Sequence, residues 1–225
     1  MQNLPFGGLL EQFLFGFSTL FAIINPYGLS FIFLDRTIAL SDRERRMIAK
    51  RIAVTAFLVL VISLFAGAWI LRFFGISLPA LRIGGGLVVA VSGWKMLHEP
   101  VREEGQNPRS TQTLDQLRRM TFFPLTIPLT TGPGSIATAI ALAANRPAEL
   151  RGAALASLVS MVVALAVSLT ILNAYAHAGS MARLFGREGT HAITRLSAFL
   201  LLCVGVQIML TGALDGVRPA LIALR

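Results

Sequence analysis

Six stretches of the chain contain no Asp, Glu, Lys, Arg or His: 12–34, 52–71, 83–94, 120–145, 152–176 and 196–214. A helix needs roughly 20 apolar residues to cross a bilayer. The third stretch reaches that length when counted from Leu78 to Leu97, with Arg82 and Lys95 extending their charged ends toward the headgroups. Every carboxylate (Glu11, Asp35, Asp42, Glu44, Glu99, Glu103, Glu104, Asp115, Glu149, Glu188, Asp215) lies outside these stretches or at their ends. The pattern predicts an all-α integral membrane protein with six transmembrane helices in one domain spanning 1–225. Composition sharpens this, because 14% of the residues are charged and 55% hydrophobic. Soluble domains carry about 25% charged residues, so this chain cannot cover a water-facing surface. Most soluble enzyme classes are excluded.

The net charge of +9 could suggest a nucleic-acid partner, but the location of the charges excludes it. Of the 20 Lys and Arg, 14 lie in the connections 35–51, 95–120 and 175–195, and 6 lie in the other connections and the termini. A basic excess marks cytoplasmic loops, so both termini are expected on the periplasmic or outer side. No separate basic domain with interleaved aromatics is present. Cys203 is the single cysteine, so no intramolecular disulfide can form. The start, MQNLPFGGLLEQF, has no basic segment before its apolar run, and the first span is therefore expected to persist.

The longest polar interval, 98–119, contains Pro100, Gly105, Asn107 and Pro108 and reads as a cytoplasmic linker. It separates a first three-helix repeat, 1–97, from a second, 120–225. Arg82-Ile83, Leu87-Val88, Val91 and Met96-Leu97 can be laid over Arg195-Leu196, Leu200-Leu201, Val204 and Met209-Leu210 at a constant offset of 113. More specifically, helices 1 and 4 are each interrupted by Pro and Gly: Asn25-Pro26-Tyr27-Gly28 and Thr131-Gly132-Pro133-Gly134. Three is an odd number of spans, so a repeated unit inserts inverted. Inverted repeats with broken helices in matching positions point to a transporter's central site.

Thirteen residues separate Gln12 from Asn25 and Met120 from Pro133, roughly 20 Å of helix, so both breaks fall deep in the hydrocarbon. The residue before a proline is pushed out of the α region, Asn is a good N-cap, and proline is favoured at the first helical position. The helices are thus expected to restart at Pro26 and Pro133. Their N-termini would approach the midplane from opposite sides and offer N–H groups to an anion, while the preceding C-termini offer carbonyls to a cation. A small zwitterion matches that arrangement. Gly28, Gly132 and Gly134 leave backbone uncovered, and Thr130, Thr131 and Ser135 add hydroxyls. Gln207, the only amide deep in the sixth span, is a further candidate contact.

No acid lies inside the spans, so a coupling cation, Na⁺ or H⁺, is left open, with backbone carbonyls as the available ligands. His98, His177 and His191 show no metal-ligand spacing with Cys203. No nucleophile–base pair or buried acid pair is found, and the chain is read as a non-enzyme with no cofactor and no metal. Gly84-Gly85-Gly86, Ala90 and Gly93 read as close helix packing, and Asn173, His177, Trp69 and Trp94 as interfacial residues.

At its broken spans the chain resembles the MarC (UPF0056) family, which includes the SnatA-type small neutral amino acid transporters. The residues carrying the resemblance are Asn25-Pro26-Tyr27-Gly28, Arg82-Ile83-Gly84-Gly85-Gly86-Leu87, the run from Pro124 to Ile136 (PLTIPLTTGPGSI) and Val206-Gln207. The resemblance implies a multi-pass protein of the bacterial inner membrane that moves glycine, alanine and similar amino acids by alternating access. Export of drugs or other small amphiphiles, for which the fifteen Phe speak, and a non-transporting scaffold are the alternatives.

Overall fold

The computed structural model describes residues 6–37, 40–98, 130–144 and 150–223. Among them all regular structure is helical: α1 (Phe6–Ile24), α2 (Pro26–Arg36), α3 (Asp42–Phe65), α4 (Gly67–Phe73), α5 (Leu78–His98), α6 (Pro133–Ala144), α7 (Leu150–Ala176) and α8 (Ala178–Ala223). Among the described residues, five segments are long and apolar enough to cross a membrane: Gly8–Arg36, Asp42–Phe65, Leu78–His98, Gly152–Ala176 and Glu188–Val217. A shorter apolar helix, Pro133–Ala143, is the second part of the expected fourth span. The first part of that span, the run from Pro124 to Leu129 and the linker from Glu99 to Arg119 lie outside the described residues.

The local sequence accounts for most boundaries. Ser41 and Glu44 form a capping box at the start of α3, the Glu44 N–H donating to Ser41 Oγ at 3.3 Å and the Ser41 N–H to Glu44 Oε2 at 2.9 Å. Such a box stabilises a helix start by about 1 kcal/mol. Arg45, a turn further on, is buried. It pairs with Asp42 at 2.8 Å and donates to the carbonyls of Thr37 and Leu40 at 3.2 Å, which puts its charge at the negative end of α2. The expected connection 175–195 is helical almost throughout: α8 begins at Ala178 and bends at Gly186, where φ is 68° and ψ −175°.

The two halves interlock. α5 packs along α8, α3 along α7, α1 and α2 against α7, α2 against α8, and α6 against α3 and α5. The α5–α8 seam is a close backbone approach. A Cβ on Gly86 would stand 2.6 Å from the Gly205 carbonyl oxygen, and one on Gly93 would stand 2.8 Å from that of Ala198. In lipid there is little hydrophobic drive between helices, so small residues that admit such approach hold a bundle together. Arg82 also forms an ion pair with Asp215 across the ends of α5 and α8. The outward faces carry exposed Leu58, Ile62, Leu87, Leu165, Leu169, Leu200 and Leu210, a surface suited to acyl chains and not to water.

Matching positions in the two halves behave alike. Ala66, between α3 and α4, and His177, between α7 and α8, stand 111 positions apart. So do Gly75 and Gly186, the two glycines with positive φ among the described residues (66° and 68°). Over 51–64 and 162–175, buried, half-buried and exposed positions coincide except at Phe57 and Ser168. Over 81–98 and 193–210, offset by 112, they differ only at Ala90 against Leu202 and Met96 against Ile208. The burial pattern coincides at 112, one residue from the offset of 113 at which residue identities coincide. One residue is a 100° rotation on a helix, so the shared Leu and Val pattern falls on different faces.

Candidate functional site

The first break is built by its own residues. Asn25 sits at φ 45°, ψ 60°, the sole positive-φ non-glycine residue among those described. Left-handed geometry is closed to most L-residues, and Asn tolerates it best after Gly. Its N–H still donates to the Phe21 carbonyl at 2.8 Å, ending α1, and its own carbonyl accepts from Leu29 N–H at 3.0 Å, opening α2. Asn25 Oδ1 accepts from Gly28 N–H at 3.2 Å. Pro26 has no N–H, so among the described residues the Tyr27 N–H is the one first-turn donor of α2 left without a partner. The space over Gly28 is filled by the Asn25 side chain, 2.8 Å from where a Cβ would stand. The glycine expected to uncover backbone for a ligand instead makes room for the cap. Tyr27 is 40% exposed and continues a row of rings, Phe13, Phe17 and Phe21, with centroid spacings of 5.8, 5.6 and 6.2 Å.

The second break is built by its neighbours. Thr130, Thr131, Gly132, Gly134 and Ser135 are all buried, and α6 starts at Pro133 as expected. Ile136 N–H donates to the Gly132 carbonyl at 3.1 Å, and Ser135 Oγ donates to the same oxygen at 2.8 Å. The N–H groups of Gly134 and Ser135 make no hydrogen bond among the described residues. A Cβ on Gly85 of α5 would stand 2.7 Å from Pro133 Cβ, and one on Gly134 would meet Ile208 Cδ1 of α8 at 2.5 Å. Gly85, read from the sequence as plain helix packing, is therefore a wall of the break itself.

Tyr175 joins the two regions, and sequence reasoning passed over it. Its ring is completely buried and stacks on Phe33 of α2 at 4.6 Å and 16°, while its hydroxyl lies 2.9 Å from Thr130 Oγ1. The available signal was a tyrosine, one of two in the chain, inside an apolar span. Gln207 is not drawn in: it lies on the exposed flank of α8, and its neighbour Ile208 is the residue at Gly134. Asn173 and His177 are exposed near a helix end, and Trp69 and Trp94 are exposed as interfacial residues should be. Among the described residues no group of three His, Cys, Asp or Glu is placed to hold a metal. Their carboxylates, Glu11, Asp35, Asp42, Glu44, Glu188 and Asp215, all stand toward the ends of the apolar segments.

A helical bundle with lipid-facing apolar flanks and two interrupted helices defines a multi-pass integral membrane protein. The model of the MarC family integral membrane proteins matches residues 10–217, and the chain belongs to that family. It is 32% identical to the UPF0056 inner membrane protein MarC of Citrobacter koseri, over 90% of this chain and 94% of that one. To a UPF0056 membrane protein of Archaeoglobus fulgidus it is 34% identical, over 91% and 93%, and to the Salmonella typhimurium inner membrane protein MarC 32%, over 90% and 94%. No solved structure matches.

Proposed function

We propose that the chain is a secondary transporter of small neutral amino acids, glycine- or alanine-like zwitterions, in the inner membrane. In this reading six spans form two inverted three-helix repeats, with both termini on the outer side and the substrate held between the two breaks. The inversion is supported by the paired turns at Ala66 and His177, the paired glycines Gly75 and Gly186, and the matched burial of α3 with α7 and of α5 with α8. The packing between halves supports it too, because exchanging the two halves turns the contact of α6 with α3 into that of α2 with α7.

The observation that carries the function is the buried, carboxylate-free turn from Thr130 to Ser135, whose Gly134 and Ser135 N–H groups sit at the positive end of α6. A carboxylate group of a small zwitterion suits those donors, and the small residues Gly132, Gly134 and Ser135 suit a substrate no larger than glycine or alanine. Gln207, on the exposed flank, contributes least to this reading. Coupling to Na⁺ or H⁺ remains part of the proposal to be measured, and no enzymatic step is assigned. Radiolabelled glycine or alanine uptake into proteoliposomes tests it: saturable flux that Gly134→Leu abolishes is expected. Absence of flux, or flux indifferent to both Gly134→Leu and Asn25→Leu, sinks the reading.

A further inference from the structure

We propose that Tyr175, through Thr130 and Phe33, is a latch that holds the second break closed toward the basic end of the bundle. This rests on the transport reading above. Three observations point to it. Tyr175 lies at the end of α7 that enters the Arg-bearing connection 175–195, and Phe33 lies three residues before Arg36 at the corresponding end of α2. Thr130 precedes the Gly132-Pro133 break, on the side of the chain that leads back to the basic interval 98–119. The cluster therefore sits between the break and that end.

Physical chemistry makes the contact a two-state one. A hydroxyl buried among apolar side chains needs a partner, and Thr130 Oγ1 is that partner at 2.9 Å. Hydrogen bonds weaken steeply with distance and angle, so a small displacement of the Thr130–Thr131 turn breaks the contact instead of stretching it. The same ring stacks on Phe33 at 4.6 Å. A shift of α2 must carry the ring with it or leave it behind, which ties the first broken helix to the turn of the second.

The matching position in the first half sharpens the assignment. Tyr175 stands 111 positions after Leu64, and both are buried at the same point of α3 and α7. Leucine has no hydroxyl. At the opposite end Ile140 of α6 lies against Gly67, an apolar contact, and the ion pair Arg82–Asp215 joins α5 to α8, not to a broken helix. Among the described residues the directional bond on a break lies at the basic end, and the protein is biased toward closure there.

The test places a single cysteine at the break, Thr131→Cys in a Cys203→Ala background, in vesicles of both orientations. A membrane-impermeant maleimide then reports access from each face. Tyr175→Phe, which keeps the ring and its stacking, is expected to raise labelling from the basic face about tenfold, the effect of one hydrogen bond on a two-state equilibrium. Labelling from the other face should fall. Thr130→Val should act in the same direction, and adding Tyr175→Phe to it should do nothing further. An unchanged rate, or an equal rise from both faces, overturns the latch and makes Tyr175 a residue of general packing. Glycine flux is measured in parallel vesicles that keep Thr131: a one-sided labelling response in the cysteine variant without flux in these vesicles retains the latch and removes the amino-acid reading.

Discussion

The two breaks solve one problem, an interrupted helix inside a bilayer, in different ways. At Asn25 the chain satisfies itself, with a left-handed Asn, a side-chain cap on Gly28 and a proline that has no N–H to satisfy. At Thr131–Gly132–Pro133 the turn is enclosed by other helices: Gly85 against Pro133, Ile208 against Gly134 and Tyr175 on Thr130. Irregular backbone at membrane depth is tolerated only where its polar groups are satisfied or line a cavity. A break that caps itself can sit wherever its helix goes. A break held by neighbours moves when they move, which places the candidate switching element in the second half of the chain.

That contrast can be broken by mutation, starting from the largest effect. Gly85→Val drives a side chain into the Pro133 ring and its backbone and is expected to cost about 3 kcal/mol, the upper range of overpacking. The loss should appear as reduced thermal stability in detergent, although residue 85 lies 48 positions from the break it supports. At the first break Asn25→Leu should cost about 2 kcal/mol, combining left-handed strain with the lost cap. Asn25→Gly, which keeps the conformation, should cost a few tenths of a kcal/mol. Similar losses for the two Asn25 variants would mean that the left-handed turn is not what holds this break.

Gly28→Ala displaces the Asn25 cap and should cost about 1 kcal/mol. Gly75→Ala and Gly186→Ala, at positive φ with no neighbour within 4 Å, should each cost about 1 kcal/mol through backbone strain alone. Their equality probes the matched halves, and a large difference in unfolding temperature between them would break the correspondence. The smallest effect belongs to Asp215→Asn. It removes a partly exposed ion pair with Arg82 and should cost less than about 1 kcal/mol, with little response to salt after the mutation.

Much of the fold was legible in the sequence. Charge-free stretches placed the five long apolar helices, and Asn25-Pro26 and Gly132-Pro133 placed both helix starts. The site was less so. Gly28 reads as an open backbone position until the Asn25 side chain is seen over it. Tyr175 reads as one more residue of an apolar span, because a single hydroxyl changes neither hydropathy nor period. Identities between the third and sixth spans coincide at an offset of 113 and burial at 112, because shared Leu and Val are common in a membrane chain, whereas burial depends on the face each residue presents.

The sequence by itself determined where the chain enters lipid and where its helices cannot continue. Those limits come from terms that act within a few residues: the cost of charge in hydrocarbon, and the missing N–H and fixed φ of proline. Only the tertiary structure decided what surrounds each break. Whether the space over a glycine is filled by its own cap, by a proline of another helix or by an isoleucine depends on contacts between residues tens of positions apart. Those contacts are set by how the two halves interlock, and no local pattern encodes them.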